Sequence, residues 1–189
     1  MRVTGSAQPI RFLLDIIDVL QDLGIPYSVV GGLAVSVHGL PRSTNDGDVL
    51  LWLTDTGKTA KDVRDRLITI GYDAELRIAE IDDPVRGVVT VKDEFENQVD
   101  LLLGVRGMDP GAQSRSTTAT LRDVPVSLMG PEDVIAMKLF AGAPQDLQDV
   151  QGIFEVSKEK VDVELVRRLA RRYGEDVADK LEQLLSQLS

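Results

Sequence analysis

The pattern of apolar and polar positions divides the chain into a mixed first part and an all-helical second part. From Phe12 to Leu20, apolar residues recur at the spacing of one helix face. Residues 49–53 form an uninterrupted apolar run, which is typical of a buried central strand. From Pro131 onward the apolar spacing is helical throughout. The predicted helices are 9–23, 32–39, 56–70, 131–142, 146–156, 161–173 and 175–188.

The strands predicted from the same pattern all lie before residue 130. A loop rich in Gly, Ser and Thr is expected over residues 104–120. No Pro- or Gly-rich linker separates the two parts of the chain. We therefore predict a mixed core over residues 1–130 and a helical region over residues 131–189 that packs on it. The predicted strands are 25–30, 49–53, 72–80, 85–92, 98–104 and 121–128.

Composition narrows the classes of protein that fit. The chain has 189 residues, 43% of them hydrophobic, with a formal net charge of −10. So acidic a protein is poorly suited to broad, sequence-independent nucleic-acid binding. The absence of cysteine excludes disulfides, thiolate metal sites and a cysteine nucleophile. No apolar run approaches the ~18 residues of a membrane span, and the first residues lack the apolar core of a signal peptide, so we expect a cytoplasmic protein.

Two aspartates open the buried strand at residues 49–53. Side chains alternate faces along a strand, so Asp46 and Asp48 point the same way, with Cα atoms roughly 6.5–7 Å apart. Such a pair is suited to a hard divalent cation such as Mg²⁺ (or Mn²⁺). The alternative is that Asn45, Asp46 and Gly47 form an ordinary turn. Two like charges at the entrance of a buried strand favour the metal, because a cation offsets their repulsion.

A third carboxylate, Asp100, lies within the apolar sequence of residues 98–104. A charge in a core strand is costly unless it is paired or metal-bound. If this strand lies beside the strand of Asp48, the three carboxylates converge. Asp100 is then both a metal ligand and an activator of an acceptor hydroxyl. The alternative is an exposed strand end or a salt bridge.

The Gly31-Gly32 pair stands between a predicted strand and a predicted helix, just before the aspartates. Glycine lets the backbone approach a ligand closely, and the N–H groups of a helix N-terminus attract anions. In the following turn, Arg42 offers phosphate a planar fork with two donors, and Thr44 lies close by. Alternatively, the glycines form only a turn and Arg42 pairs with the acidic residues.

Several polar residues of the helices have competing explanations. Lys138 lies among apolar residues, from where it reaches a triphosphate or extends into solvent. Asp146 and Asp149, one turn apart, either anchor Lys138 or another cation, or belong to an exposed face. His38 is expected to be a structural hydrogen-bonding residue rather than a catalytic base.

Four arginines form a basic stripe on a late predicted helix. The stripe is either a solvated face, with Glu164 placed to pair with Arg168, or a surface for RNA or a partner. The four residues are Arg167, Arg168, Arg171 and Arg172.

Three segments of the chain resemble the nucleotidyltransferase superfamily typified by DNA polymerase β. They are GGLAVSVHGLPRSTNDGDVLL, VDLLLG, and PEDVIAMKLFAG followed by DLQDV. Within the superfamily the chain is most similar to the bacterial branch related to AbiEii-type abortive-infection toxins, over roughly residues 9–156. The resemblance implies an α+β fold, with a small mixed β-sheet flanked by helices and a C-terminal helical segment.

The resemblance also implies roles for the residues named above. The glycine pair would meet the nucleotide phosphates, the three carboxylates would bind Mg²⁺, and the helical lysine would lie near the triphosphate. The glycines are Gly31 and Gly32, the carboxylates are Asp46, Asp48 and Asp100, and the lysine is Lys138. Asp146 matches the family's downstream aspartate. The chain departs from the pattern at Gly47, where an aliphatic residue is usual, and at residues 143–145, where Ala-Pro-Gln replaces basic residues. A glycine weakens a strand, so Val or Ile at position 47 is expected to stabilise the fold.

These inferences predict a Mg²⁺-dependent nucleotidyltransferase. It would move a nucleoside monophosphate from an NTP to a hydroxyl of a tRNA, a protein or a small molecule, with release of pyrophosphate. The resemblance adds a role in a toxin–antitoxin or phage-defence system, with an antitoxin as partner. Two alternatives remain open: a nucleotide- or partner-binding pseudoenzyme with a weakened site, and an enzyme that modifies antibiotic-type small molecules.

Overall fold

The computed structural model describes residue 5 and residues 8–41, 46–80, 83–157 and 159–188. Every helix predicted from the sequence pattern is present, with small shifts at the ends. The helices are α1 (Pro9–Asp22), α2 (Gly31–His38), α3 (Ala60–Thr69), α4 (Pro131–Ala141), α5 (Pro144–Ser157), α6 (Val163–Tyr173) and α7 (Glu175–Leu188).

Local sequence signals define several helix ends. α1 begins at Pro9, whose fixed φ suits a first helical turn. α3 begins with a capping box, in which Thr59 and Asp62 exchange side-chain to backbone hydrogen bonds. α4 begins at Pro131 and ends before Gly142, which has a left-handed φ of 70°.

Within the described residues, the strands form one seven-stranded sheet. Strand β2 already begins at the first aspartate rather than at residue 49. The strands are β1 (Tyr27–Val30), β2 (Asp46–Leu51), β3 (Asp73–Ile78), β4 (Gly87–Lys92), β5 (Gln98–Leu102), β6 (Thr117–Leu121) and β7 (Val124–Leu128).

The sheet is mixed, in the order β3-β4-β5-β2-β1-β7-β6. β2 is parallel to β5 and antiparallel to β1, and β1 is parallel to β7. β4 is antiparallel to both β3 and β5, and β6 is antiparallel to β7. A mixed sheet flanked by helices confirms the predicted α+β class.

The segment before β7 differs from the prediction. The sequence pattern predicts a loop over residues 104–120 and one strand over 121–128. The structure instead has a 3-10 helix (Pro110–Arg115), then β6 and β7 joined by a tight turn. Arg122 and Asp123 form that turn with positive φ angles of 47° and 66°, and neither is a glycine that would mark it. β6 is mostly exposed and rich in threonine, so it carries no apolar signal.

The two faces of the sheet are covered differently near β2. α1 packs on β2 and β5, and α3 packs on β3 and β4. A Cβ on Gly47 would lie 3.2 Å from Leu13 Cδ1 of α1, so Gly47 and the alternate residues of β2 face this helix. Asp46 and Asp48 therefore project from the opposite face of the sheet.

One hydrophobic cluster takes in residues of α1, of the sheet and of α4 to α7. α4 packs against α2, α5, α6 and α7, so the C-terminal helices share a core with the sheet. The division of the chain at residue 130 stays a prediction. None of the helices in the described ranges is long and apolar enough to cross a membrane.

A buried polar link joins the middle of the sheet to the residue after the 3-10 helix. Ser28 in β1 is fully buried, and its Oγ lies 2.6 Å from Ser116 Oγ. Trp52, the residue after β2, donates its Nε1–H to Ser28 Oγ at 3.0 Å. The indole therefore ties the end of β2 to β1.

Candidate active site

The aspartates of β2 and β5 meet on one face of the sheet. The two strands are parallel neighbours, and Asp48 is paired in register with Asp100. Paired residues of neighbouring strands are about 4.8 Å apart and point to the same face, so the two carboxylates are adjacent. Asp46 precedes them on the same face, at the exposed start of β2. The structure thus places Asp48 and Asp100 side by side, with Asp46 two residues earlier on the same face of β2.

Asp100 is held by two side-chain donors. Thr90 of β4 is its register partner in the antiparallel β4–β5 pair and donates its hydroxyl to Asp100 Oδ1 at 2.8 Å. Gln98 donates its Nε2–H to Asp100 Oδ2 at 3.1 Å. Each carboxylate oxygen therefore accepts one hydrogen bond, which fixes the plane of the carboxylate. Neither donor was predicted from the sequence.

Gly31 brings the backbone against Asp48. It is the first residue of α2, where the sequence pattern predicts residue 32, and it has a left-handed φ of 62°. A Cβ on Gly31 would lie 2.7 Å from Asp48 Cγ and 2.9 Å from Asp48 Cβ, so a side chain and this carboxylate position exclude each other. Gly32 is buried in the first turn of α2, where no side chain caps the helix. The start of α2 therefore presents backbone N–H groups beside Asp48, an arrangement that attracts anions.

Lys138 of α4 is held by two aspartates of α5. Its Nζ lies 2.7 Å from Asp146 Oδ1 and 3.0 Å from Asp149 Oδ2, and the Asp149 side chain is only 2% exposed. Burial lowers the pKa of Lys138, but its hydrogen bonds to both aspartates outweigh burial and raise the pKa overall. Lys138 is therefore charged and fixed in place, with both aspartates as its anchors.

A cavity of about 200 Å³ lies between the carboxylate face of the sheet and α4. Gly31 and Asp48 line it on the sheet side, and Lys138 and Asp146 line it on the helix side. Residues that are far apart in the sequence therefore face one space. The rest of its wall is apolar and is formed by Val30, Leu102, Val134, Met137 and Ala141.

The remaining predicted residues have different outcomes. Arg42 and Thr44 lie outside the described residues. His38 Nε2 lies 2.7 Å from the Met129 carbonyl oxygen, and since a carbonyl only accepts, Nε2 carries the proton. Burial lowers the pKa of His38, and the Met129 carbonyl and the charge of Glu132 offset this only in part. His38 is therefore a neutral structural link between α2 and the residues just before α4.

Sequence reasoning missed an ion-pair network at the start of α4. Arg115 Nε and Nη2 lie 2.7 and 2.8 Å from the two carboxylate oxygens of Asp133. Arg115 Nη1 lies 3.0 Å from Asp109 Oδ1, and Arg172 of α6 lies 3.5 Å from Asp109 Oδ2. Hydrogen bonding to Asp133 raises the pKa of Arg115 above its usual range. In the sequence, Asp133 is simply an acidic residue in the first turn of a predicted helix, so no local pattern indicates that it pairs with Arg115.

Two of the four arginines on α6 have carboxylate partners, and the surface for RNA or a partner stays a prediction. Arg167 pairs with Glu164 at 2.6 Å and with Glu182 of α7 at 2.7 Å. The predicted pairing of Glu164 with Arg168 is wrong, because Glu164 pairs instead with Arg167, three residues further along the helix. Arg172 turns to the Asp109 network described above.

The donor set beside the cavity suits a hard divalent cation. Asp48 and Asp100 present adjacent carboxylates, and the lack of a side chain on Gly31 lets the Asp48 carboxylate lie directly against that turn. Mg²⁺ is commonly held by one or two carboxylates and completes its coordination with water and substrate phosphates. In the part of the chain that the structure describes, no group of three or more His, Asp or Glu side chains forms a metal site by itself. The residues therefore fit a cation that shares its ligands with a substrate.

Solved structures of nucleotidyltransferases share this fold. An antigenic nucleotidyltransferase-like protein from Paracoccidioides brasiliensis has a TM-score of 0.57 at 14% identity, covering 95% of each chain. The lincosamide antibiotic adenylyltransferase LnuA, bound to lincomycin, has a TM-score of 0.51 at 16% identity, covering 81% of this chain and 99% of that one. ANT(2")-Ia in complex with adenylyl-2"-tobramycin has a TM-score of 0.52 at 13% identity, covering 95% and 98%. At these identities the likeness shows the fold alone.

No curated protein sequence matched the chain. The family described as "Nucleotidyl transferase of unknown function (DUF2204)" matches residues 10–187. The matched range covers the sheet, the residues that line the cavity and the C-terminal helices. This chain therefore belongs to that nucleotidyl transferase family.

Proposed function

We propose that this chain is a Mg²⁺-dependent (or Mn²⁺-dependent) nucleotidyltransferase that moves a nucleoside monophosphate from an NTP to a hydroxyl of a small molecule, releasing pyrophosphate. Its family makes it a nucleotidyltransferase, and the metal, the acceptor and the residue roles are the proposal. One observation carries it: Asp48, which is paired in register with Asp100, lies against the Gly31 turn and across one cavity from Lys138. Phosphoryl transfer relies on positioning and on charge stabilisation, and this cavity has groups for both.

In this proposal the triphosphate lies at the glycine turn that begins α2, with the Lys138 ammonium on its other side. The acceptor oxygen forms a bond to the α-phosphorus, the bond from that phosphorus to the bridging oxygen of the β-phosphate breaks, and pyrophosphate leaves. Asp100 accepts the proton of the acceptor hydroxyl. Asp46, Asp48 and Asp100 would hold Mg²⁺, which when bound stabilises negative charge on the phosphate oxygens. Arg42 and Thr44 stay candidate phosphate ligands on sequence grounds.

A small-molecule acceptor has more support than a tRNA or a protein. The net charge of −10 opposes binding of a polyanion. Two structures that share the fold are complexes with small antibiotics or their adenylylated product. A tRNA or protein acceptor, the AbiEii-type toxin role with its antitoxin, and the cytoplasmic location rest on the sequence alone and stay predictions.

The test is transfer of label from each α-labelled NTP, with Mg²⁺, to the small-molecule, RNA and protein fractions of a cell extract. Asp48→Asn and Asp100→Asn are compared with the wild type, and Asp179→Asn, an exposed carboxylate of α7, is the control. We expect label in the small-molecule fraction for the wild type and for Asp179→Asn. Asp100→Asn should slow transfer at least about 100-fold, the usual contribution of a positioned base. Its NTP affinity should stay within about tenfold, a ~1.4 kcal/mol change.

The outcomes separate the parts of the proposal. Label in RNA or protein would replace the acceptor and keep the chemistry. Near-normal transfer by Asp100→Asn would remove that residue from the reaction. NTP binding without transfer to any fraction would support the pseudoenzyme instead.

A further inference from the structure

We infer that Thr90 is a positioning residue of this site, which orients the Asp100 carboxylate toward the acceptor hydroxyl through a hydrogen bond. The inference rests on the proposed function, because it concerns how Asp100 does its part of that reaction. Thr90 lies outside the segments that carry the family resemblance.

The fold places Thr90 directly beside Asp100 on the neighbouring strand. β4 and β5 are antiparallel, and Thr90 and Asp100 are directly paired across them. Side chains of such a pair lie about 4.5–5.5 Å apart at their Cβ atoms and interact on one face of the sheet. The Thr90 hydroxyl accordingly donates to Asp100 Oδ1 at 2.8 Å. Asp48 lies in register on the other side of Asp100, so Asp100 is held from one strand and paired with a second carboxylate on the next.

The hydrogen bonds leave Asp100 with free acceptor positions in a defined plane. A carboxylate has about four lone-pair positions, of which Thr90 and Gln98 occupy one on each oxygen. The χ2 torsion of aspartate is otherwise broad, and the two hydrogen bonds restrict it. They therefore set the direction of the remaining lone pairs. Those positions are what the acceptor hydroxyl and a cation require.

Thr90 controls this orientation more than Gln98 does. Both bonds have ordinary lengths for their donors, 2.8 Å for the hydroxyl and 3.1 Å for the amide, so stiffness distinguishes them. Threonine is β-branched and stiff at χ1, whereas the glutamine amide ends a long flexible chain. Loss of the threonine hydroxyl is therefore expected to free the carboxylate, even with Gln98 in place.

The experiment compares Thr90→Val, which keeps the shape and removes the hydroxyl, with Thr90→Ser, which keeps the hydroxyl. Thr118→Val is the matched control, since Thr118 is an exposed strand residue at the far edge of the same sheet. Measured quantities are kcat and KM for NTP transfer, NTP affinity by calorimetry, and the melting temperature. Thr90→Val should lower kcat by about 10–100-fold, the usual effect of losing a residue that orients a site ligand. KM, NTP affinity and melting temperature should stay near those of the wild type, and Thr90→Ser should recover most of kcat.

Two results would overturn the inference and leave the proposed function in place. The first is a kcat of Thr90→Val close to that of Thr118→Val. The second is an equal loss of kcat in Thr90→Ser and Thr90→Val, which would show that packing rather than the hydroxyl matters. Adding Thr90→Val to Asp100→Asn should cause almost no further loss, because both changes disable the same group. If Asp100→Asn is itself as active as the wild type, both the proposed role of Asp100 and the role of Thr90 fall together.

Discussion

Gly31 is the residue whose replacement tests the cavity most directly. Its φ of 62° disfavours other residues, and a Cβ there would meet the Asp48 carboxyl group. We expect Gly31→Ala to displace that carboxylate and to weaken binding of an NTP with Mg²⁺ at least about tenfold, or ~1.4 kcal/mol. Calorimetric titration with a non-hydrolysable NTP analogue measures this.

Gly57 provides the matched control for Gly31. It has a similar φ of 67°, but a Cβ there would meet no atom within 4 Å. Gly57→Ala should therefore cost about 1 kcal/mol of stability from backbone strain and leave NTP binding unchanged. If both alanine variants bind the NTP equally well, the close approach of Gly31 to Asp48 has no part in nucleotide binding.

The surroundings of Gly47 contradict the expectation that Val or Ile at this position would stabilise the fold. A Cβ there would lie 3.2 Å from Leu13 Cδ1 and 3.4 Å from Val99 Cγ2, so α1 leaves no room for a branched side chain. We expect Gly47→Val to destabilise the fold by about 1–3 kcal/mol, measured by urea unfolding. The double variant Gly47→Val/Leu13→Ala should be more stable than the sum of the two single changes predicts. Simple additivity of the two losses would argue against this crowding.

Single residues differ in how far the sequence reveals them. Asp46, Asp48 and Asp100 stand out because charges beside apolar runs are unusual and need a reason. Thr90 and Arg115 have ordinary neighbours in the sequence, and their importance comes from partners across strands or on another helix. Register and packing create those contacts, so no local pattern indicates them.

At the scale of elements, the helices and the central strands follow from periodicity, because their buried faces are strongly apolar. β6 escaped prediction for the opposite reason: it is an edge strand, its residues are mostly exposed, and pairing with β7 rather than burial holds it in place. Strand order is a further limit, since the parallel pairing of β2 with β5 cannot be read from either strand alone.

His38 connects the end of α2 with the start of α4 and should make stability depend on pH. Its folded pKa lies below the ordinary 6.5, so the unfolded chain binds this proton more tightly. The contribution of neutral His38 is therefore present above about pH 6.5 and is lost as the pH falls through the folded pKa. We expect His38→Gln, which keeps a donor for Met129, to lose less stability than the wild type between about pH 7.5 and pH 5.5.

Chemical denaturation at both pH values measures the difference for His38. The comparison is between slopes, so the many carboxylates common to both proteins cancel. Parallel curves for the two proteins would show that His38 has no linked proton.

At the scale of the whole molecule, Arg115 joins the segment before β6 to α4 and, through Asp109, to α6. Its partner Asp133 has a side chain only 4% exposed. We expect Arg115→Met to destabilise the protein by about 3 kcal/mol, because it leaves a buried carboxylate without its partner. Changing both residues, as Arg115→Met/Asp133→Leu, should restore much of the loss. The free energy of unfolding in urea measures both effects.

Arg167→Met is the control for Arg115→Met. Arg167 also pairs with two carboxylates, but these pairs lie at the surface, where solvent screens them, and its loss should have little effect. Equal losses in the two methionine variants would show that the Arg115 network does not hold the helical region to the sheet.

Trp52, which is hydrogen-bonded to Ser28, gives the protein an intrinsic fluorescence signal. The chain has a single tryptophan, and its indole is half-buried, hydrogen-bonded to β1 and placed directly after the strand that carries Asp46 and Asp48. Its fluorescence therefore comes from one known position and needs no label. Emission spectra recorded while nucleotide or metal is added would report on the end of that strand in the unmodified protein.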